Sequence, residues 1–326
     1  TLGYTYCRST PCIFVRGQVI IGIYVDDCCA IGSNKEMIKE ALQELHKEFK
    51  LKETSGDGFL GNEWKNENLV CSTRIDKILD EFDLRDSNTA PTPMIGGYTK
   101  TEEIVSDLNI RPLLGHLLYI VRYRPDIAFS TVKLCREQVS PNNNTLKACQ
   151  RIVKYLKGTK DLGISYAKED IDRSGLVVYC DADYANGPRS RSTSGFLIFY
   201  NNILILHRSK LQTGISQSTC EAEYVSIFTG VVECIYFRKV LQELQVPGEH
   251  KIKVYCDNEA ATKICKEEAY RGRLRHIATK YYWLMELCEK GIIEVFHIPG
   301  KDNPSDMLTK PLTGHTFLKH RNNIMV

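Results

Sequence analysis

Two rhythms of apolar residues alternate along this chain. Val19-Ile20-Ile21-Gly22-Ile23 is a β-branched run, Tyr24-Val25-Asp26-Asp27 follows it, and Cys28-Cys29-Ala30-Ile31-Gly32 reads as a returning strand. The pattern predicts a hairpin whose tip carries Asp26 and Asp27. Helical spacing then takes over at Ile38, Ala41, Leu42, Leu45 and Phe49, behind the capping-box pattern Ser33-Asn34-Lys35-Glu36. Phe59-Leu60-Gly61 and Leu69-Val70-Cys71 read as short strands about a polar turn, and Ile75, Ile78, Leu79 and Phe82 share one face of a second helix. Pro91, Pro93, Gly96 and Gly97 break the pattern, which puts a linker or boundary near residues 88 to 106. From Leu113 to Leu156 the reading is largely helical, interrupted at Pro125 and Pro141.

From about residue 174 onward the order is β-β-β-α-β-α-α-β-α. Strands are expected at Gly175 to Cys180, Gly195 to Tyr200, Ile203 to Arg208, Ile252 to Cys256 and Ile292 to His297. A long helix is expected from about Cys220 to Leu244, with shorter ones after Asp257, His276 and Asp306. Three antiparallel strands followed by α/β crossovers make an α+β / α/β layer fold, with acids where strands end.

Composition narrows the class. At 326 residues the chain has room for two or three domains, and its apolar and charged fractions are those of a water-soluble globular protein. No apolar run approaches the roughly 20 residues that cross a bilayer, and no secretion signal opens the sequence. An intracellular setting follows, in cytoplasm, virus-like particle or nucleus, without a membrane partner. The net charge is only +3, so a nucleic-acid surface must come from local clusters such as Arg189 to Arg191, Arg271 to Arg275 and Lys319 to Arg321. Arg122, Arg124, Lys133, Lys147, Arg151, Lys154, Lys157 and Lys160 add basic character that can track phosphates or simply be a solvated helix face. The 13 cysteines show no zinc spacing and read as reduced, mostly buried thiols.

Four carboxylates sit where the second half could gather them. Asp181 ends the first strand of that half, Glu223 lies in the first turn of the long helix, Asp257 ends the fourth strand, and Asp306 starts the last helix. Such a group repels itself unless divalent cations fill it, and hard oxygen donors suit Mg2+ or Mn2+. Two ions about 4 Å apart can activate water and stabilise a leaving oxygen. Glu221 competes with Glu223: positions two apart on a helix differ by about 200°, so one alone faces the site, and the spacing leaves open which. Asp183 shares a strand face with Asp181 and is a candidate outer acid. Taken singly, Asp257 and Asp306 could merely cap helices. His297 reads as a satisfied structural histidine, and His276 in Leu274-Arg275-His276-Ile277 is a second histidine that invites a proton-shuttle assignment.

These pieces resemble, in order, a known family. Tyr24-Val25-Asp26-Asp27 is similar to the palm motif of reverse transcriptases. Leu60-Gly61-Asn62-Glu63, Thr92-Pro93-Met94, Gly115-His116-Leu117-Leu118-Tyr119, Arg124-Pro125-Asp126-Ile127, Tyr155-Leu156-Lys157-Gly158-Thr159, Asp181-Ala182-Asp183, Glu221-Ala222-Glu223-Tyr224, Cys256-Asp257-Asn258 and Asp306-Met307-Leu308-Thr309-Lys310 follow. Together they resemble the Pol polyprotein of copia-type LTR retrotransposons. The resemblance implies a partial reverse transcriptase palm and thumb over residues 1–95, a connection segment over 96–172, and a ribonuclease H-like domain over 173–326 with a mixed five-stranded sheet and flanking helices.

It also implies Asp181, Glu223, Asp257 and Asp306 as catalytic, metal-holding residues that hydrolyse the RNA strand of an RNA/DNA hybrid. Asp26 and Asp27 are implied as the palm metal acids, with other Pol segments as possible partners. Their third carboxylate lies earlier in the family, and Thr1 falls inside the family pattern, so this chain is expected to be a truncated piece without polymerase activity of its own. His207, Leu211, Cys220, Tyr282 and Arg275 depart from family preference and leave room for a decayed copy. A non-catalytic nucleic-acid-binding or assembly remnant is the competing reading, and a two-metal nuclease acting on DNA is a third. Oligomeric state is not encoded.

Overall fold

The computed structural model describes residues 2–52, 59–61, 63–99, 108–166, 173–248, 250–266 and 278–326. Packing groups the chain into two compact units, residues 1–64 with 235–250, and residues 65–234 with 251–326. His276 and the Arg271 to Arg275 cluster lie outside the described residues.

In the first unit a meander of β1 (Thr5–Tyr6), β2 (Ile13–Arg16), β3 (Val19–Tyr24) and β4 (Asp27–Gly32) carries α1 (Lys35–Glu48). Alternation in β3 buries Val19 and Ile21 against Ala41 of α1. Tyr24 pairs with Asp27, leaving Val25 and Asp26 as the two turn residues. The helix start differs slightly from expectation. Asn34 is the N-cap, accepting from the Glu36 amide at 2.7 Å, while Ser33 donates to Gln18 instead. Phe49 follows the helix and is exposed. From the segment 235–250, Glu243 accepts from Cys7 Sγ at 2.9 Å and from the amide and hydroxyl of Ser9 at 3.0 and 2.7 Å. These bonds hold its carboxyl down at about 2.

After β5 (Glu63–Lys65), whose last residue opens the second unit, come β6 (Asn68–Val70) and α2 (Ser72–Glu81). Phe59–Gly61, expected as a strand, is instead a 3-10 turn in which Leu60 has φ 56°, outside strand geometry. The helical stretch resolves into α3 (Arg111–Ile120), α4 (Ala128–Cys135) and α5 (Asn143–Gly158). Asn142 caps α5 through the Thr145 amide at 2.9 Å, and Thr145 reciprocates, which starts the helix just after Pro141. Ile75, Ile78, Leu113, Leu117, Ile152 and Leu156 share one core with α2 to α5, so the helix expected in a thumb-like element packs with the connection helices. β7 (Ile164–Ser165) pairs with β6. Gly163 makes that approach feasible, because a Cβ there would lie 2.4 Å from the Leu69 carbonyl.

Several of the cations read as either phosphate-tracking or merely solvated have structural partners. Arg124 is fully buried and forks onto Asp126, with Nη2–Oδ2 at 2.7 Å; it also donates to the Thr159 carbonyl at 2.7 Å. Tyr155 donates to the same Asp126 at 2.6 Å. Although burial opposes both charges, each holds the other ionised. Lys157 donates to the carbonyls of Arg85 and Ser87, and Lys160 pairs with Asp76 at 2.8 Å. The helix C-terminal ends and loops there need those donors, which removes them from the pool free to meet phosphate.

The sheet that follows has order β10-β9-β8-β11-β12. β8 (Leu176–Asp183), β9 (Thr193–Tyr200) and β10 (Ile203–Leu211) form an antiparallel meander, and α6 (Thr219–Glu243) leads to β11 (Ile252–Cys256), parallel to β8. After α7 (Glu259–Ile264) and α8 (Ala278–Glu289), β12 (Ile293–His297) adds in parallel to β11. Val177, Leu197 and Phe199 face the helical core of α3 to α5, whereas Val178, Phe196 and Ile198 are buried on the other face. Cover on both faces explains why these strands read as apolar runs. A 3-10 segment, Pro304–Leu308, precedes α9 (Gly314–Asn322). Asp306 therefore sits inside a 3-10 turn, and the last helix starts eight residues later than expected.

Candidate active site

Parallel register builds the site. Cys180 on β8 is level with Cys256 on β11, so Asp181 and Asp257, each one step further on, emerge side by side on strands about 4.8 Å apart. Asp257 lies just past the strand because Asn258, not Asp257, caps α7, accepting from the Ala261 amide at 2.9 Å. β8 itself runs on to Asp183, whose carboxylate accepts from Asn186 Nδ2 at 2.7 Å.

The 3-10 segment brings the third acid. Asn303, fully buried, donates to the Cys180 carbonyl at 2.8 Å and accepts from the Ser305 amide at 3.2 Å. Opposite Asp181 in the antiparallel register stands Gly195, where a Cβ would come within 2.7 Å of Leu308 and 2.8 Å of Thr309. Glycine at that point lets the segment lie on the sheet. The result is that ligand oxygens of Asp181, Asp257 and Asp306 all lie within 4.8 Å of one another.

Glu223 arrives from α6. Ser226, one turn on, donates to the carbonyls of Asp181 at 2.7 Å and Gly195 at 3.2 Å, and Gly230 lets the helix approach Cys180. These positions share the sheet-facing side of the helix. Glu223 is 7% exposed, and its ligand oxygen, the Cys256 thiol and an Asp257 oxygen form a second group within 4.8 Å. Glu221 points elsewhere: it accepts from the Gln217 amide at 2.8 Å, at the helix start.

Burial and mutual repulsion dominate the electrostatics. Burial, then the Asp306 charge, pushes Asp181 up to about 7, against the lowering influence of Lys310 and Thr309. Burial followed by Asp181 and Asp257 pushes Glu223 up to about 10. Asp257 is raised for the same two reasons, burial first and Asp306 next. Thr309 Oγ1 donates to Asp181 Oδ2, and Lys310 Nζ lies 2.8 Å from Asp306 Oδ1. Burial opposes the Lys310 charge, yet Asp181, Asp306 and Asp257 raise it above the ordinary lysine value. Thr309 and Lys310 are part of the sequence motif ending this chain's acidic series but were given no role there; the four-residue spacing from Asp306 to Lys310 is the signal that finds the pair.

A donor set of carboxylate oxygens, too crowded to ionise fully without cations, fits a hard divalent ion such as Mg2+ or Mn2+. His297 is at the exposed end of β12 rather than inside it, with Nε2 3.1 Å from the Asp257 carbonyl oxygen. Gly300 backs Asp257 closely, a Cβ there meeting Oδ2 at 3.0 Å.

Asp26 and Asp27 form a different setting. Both are exposed at the hairpin tip, and among the described residues neither joins two further metal-ligating side chains. Val25 between the strands has φ 53° and is 82% exposed.

Residues 2–96 match the family model described as reverse transcriptase (RNA-dependent DNA polymerase). The chain is 30% identical to the retrovirus-related Pol polyprotein from transposon RE2 of Arabidopsis thaliana, over 97% of this chain and 23% of that protein. It is equally 30% identical to that from transposon RE1 of the same plant, over 100% of this chain and 23% of that protein. The foamy viral protease-reverse transcriptase, solved in complex with RNA/DNA hybrid, aligns with 86% of this chain and 36% of its own at 15% identity and a TM-score of 0.47. That likeness is too distant to bear on the site. The chain spans about a quarter of the length of the curated relatives it matches. With a reverse transcriptase match at one end and 30% identity to transposon Pol polyproteins across nearly all of it, the chain belongs to the copia-type retrotransposon Pol polyproteins.

Proposed function

We propose that the second unit is a divalent-metal-dependent nuclease that hydrolyses the RNA strand of RNA/DNA hybrids. The observation that carries this reading is the convergence of Asp181, Asp257 and Asp306 within 4.8 Å, with Glu223 beside Asp257. In it, Asp181 and Asp257 hold from neighbouring strands, Asp306 closes the set from the 3-10 turn, and Glu223 supplies the fourth carboxylate. Mg2+ or Mn2+ bound there would supply Lewis-acid chemistry, polarising a phosphoryl oxygen and lowering the pKa of water. Thr309 orients Asp181 by donating to its carboxylate, and Gly300 leaves Asp257 the space to turn toward the cluster. Selection of hybrid over DNA duplex would use 2′-hydroxyl contacts across a shallow minor groove.

Residues 1–95 are read as palm and thumb in ancestry, 96–172 as connection and 173–326 as nuclease. Asp26 and Asp27, exposed at the hairpin tip, are the palm acids of this reading, and in it this chain does not polymerise DNA by itself. Primer extension with Mg2+ and dNTPs tests that point, and any template-dependent product would refute it. Other Pol segments are the partners this arrangement implies.

The nuclease reading is tested by incubating the protein with labelled RNA/DNA hybrid in Mg2+ or EDTA, alongside Asp257→Asn. RNA cleavage that needs the ion and vanishes in the variant is expected. A second reading, a silent hybrid-binding remnant, is favoured by one observation: an ammonium, Lys310, is paired into the acidic cluster. Folded protein that binds hybrid and leaves the RNA intact would support it.

A further inference from the structure

The position of Lys310 carries more than a choice between those readings. Three carboxylates with oxygens within 4.8 Å of one another repel, and a cation among them relieves that repulsion. The chain supplies one from the same turn as Asp306. The amides of Thr309 and Lys310 donate to the Asp306 carbonyl at 3.2 and 3.3 Å, so the backbone curls back and delivers Lys310 Nζ to Asp306 Oδ1 at 2.8 Å. Asp306 is 12% exposed at its side chain and Lys310 39%, so the ammonium closes the solvent side of a buried acid. Its neighbour Thr309 donates to Asp181, tying two of the three carboxylates to one dipeptide.

A lysine is suited to a temporary tenancy. Its charge is a compact point at the end of a flexible four-carbon stem, unlike the planar fork by which Arg124 is locked onto Asp126. The geometry points to Lys310 as an internal counter-ion that holds the carboxylate cluster together in the metal-free protein and is displaced when a divalent ion enters, so that it sets the threshold concentration for loading. This rests on the metal-binding reading proposed above. Lys310 is in this sense a gatekeeping residue for the ion, not a group that touches the scissile bond.

Removing the ammonium leaves the cluster more negative, so an ion has less to displace. Mn2+ titration of the whole chain, followed by calorimetry or by loss of the free-ion magnetic resonance signal, reads this directly. Lys310→Met is expected to bind Mn2+ on the order of tenfold more tightly than the unaltered protein, as a half-buried ion pair is exchanged for none. Lys310→Arg, which keeps the charge, is expected to stay at or above the unaltered dissociation constant. In EDTA the Met variant should melt lower, and saturating Mn2+ should close that gap. Lys310→Gln serves the same comparison if the Met variant does not fold. Equal or weaker Mn2+ binding by the charge-removed variants, with the unaltered protein binding normally, would overturn the counter-ion alone. No Mn2+ binding by any variant would overturn the metal reading and the displacement with it. Binding by the Met variant but not by the unaltered protein would be the strongest support.

Discussion

Two pairs of neighbouring aspartates, Asp26 with Asp27 and Asp181 with Asp257, show what surroundings do to the same side chain. The first pair is adjacent in sequence, at the end of a hairpin and open to water. The second is 76 residues apart in sequence and adjacent only because parallel strands are in register. Water screens the first pair, so the hairpin needs no cation to exist. Burial denies the second pair that screening, and the fold supplies a hydroxyl, an ammonium and protons to compensate. Adjacent acids in sequence are thus the weaker indicator of a prepared site; convergent acids from separate elements are the stronger.

The sharpest break of this comparison is by substitution. Asp257→Asn is expected to lower metal-dependent RNA cleavage by about a thousandfold, some 4 kcal/mol of barrier, while Asp26→Asn with Asp27→Asn leaves the rate within about twofold. A gel assay on labelled hybrid decides it, and comparable losses in both variants would sink the distinction.

Acidity gives the next largest effect. Asp181 sits at about 7 and Glu223 at about 10 in the folded chain, above the ordinary carboxyl range of the unfolded one. Acids raised on folding stabilise through their protonated forms. That contribution is full below about pH 4 and is lost as pH climbs through the folded values. Between pH 5 and 7 metal-free protein should therefore lose up to about 1.4 kcal/mol per pH unit for each of the two acids, read by denaturant melts in EDTA. Asp181→Asn should flatten the slope, and saturating Mg2+ should reverse it, because the ion binds the ionised form. A metal-free stability that rises over this interval would contradict the assigned repulsion.

How much of this was legible beforehand differs between elements. β11 was read at its observed bounds because Ile252, Val254 and Cys256 alternate with Lys253 and Tyr255, and α6 was read within a residue of its bounds. The four acids were read from their places at strand and helix ends, and the structure brings Asp181, Asp257 and Asp306 into one group and Glu223 beside Asp257. Asp306 was placed at a helix start, since a Pro-containing turn followed by a helix has the same signature as the 3-10 segment that Asn303 in fact caps. Arg124 looked like one cation among eight. Its pairing with Asp126 two residues on became visible only with the burial that encloses both, as did the carbonyl duties of Lys157. Periodicity reports which face a residue is on; it does not report which charge waits there.

Smaller changes sharpen the same contrast. Thr309→Val removes the donor to Asp181 and is expected to cost about 1 kcal/mol in metal-loaded cleavage, a several-fold rate loss in the hybrid assay. An unchanged rate would make the hydroxyl dispensable. At the hairpin, Val25 occupies a left-handed backbone with a β-branched side chain, so Val25→Gly should raise stability by about 0.5 to 1 kcal/mol on a denaturant melt without altering RNA cleavage. A destabilised variant would show that the tip backbone is not strained.

The bond from Thr309 to Asp181 joins residues 128 apart, and that from Asn303 to Cys180 spans 123. During synthesis the first strand of the sheet, β8, is made long before its final partner turn exists. At about 5 to 20 residues per second, a ribosome needs on the order of ten seconds to travel from one to the other. Throughout that interval the nascent chain can fold its meander and helices but has no means of assembling the acidic cluster. A chain that stops before residue 303 therefore has the strands of the sheet but neither Asp306 nor the Thr309 and Lys310 groups that meet the acids.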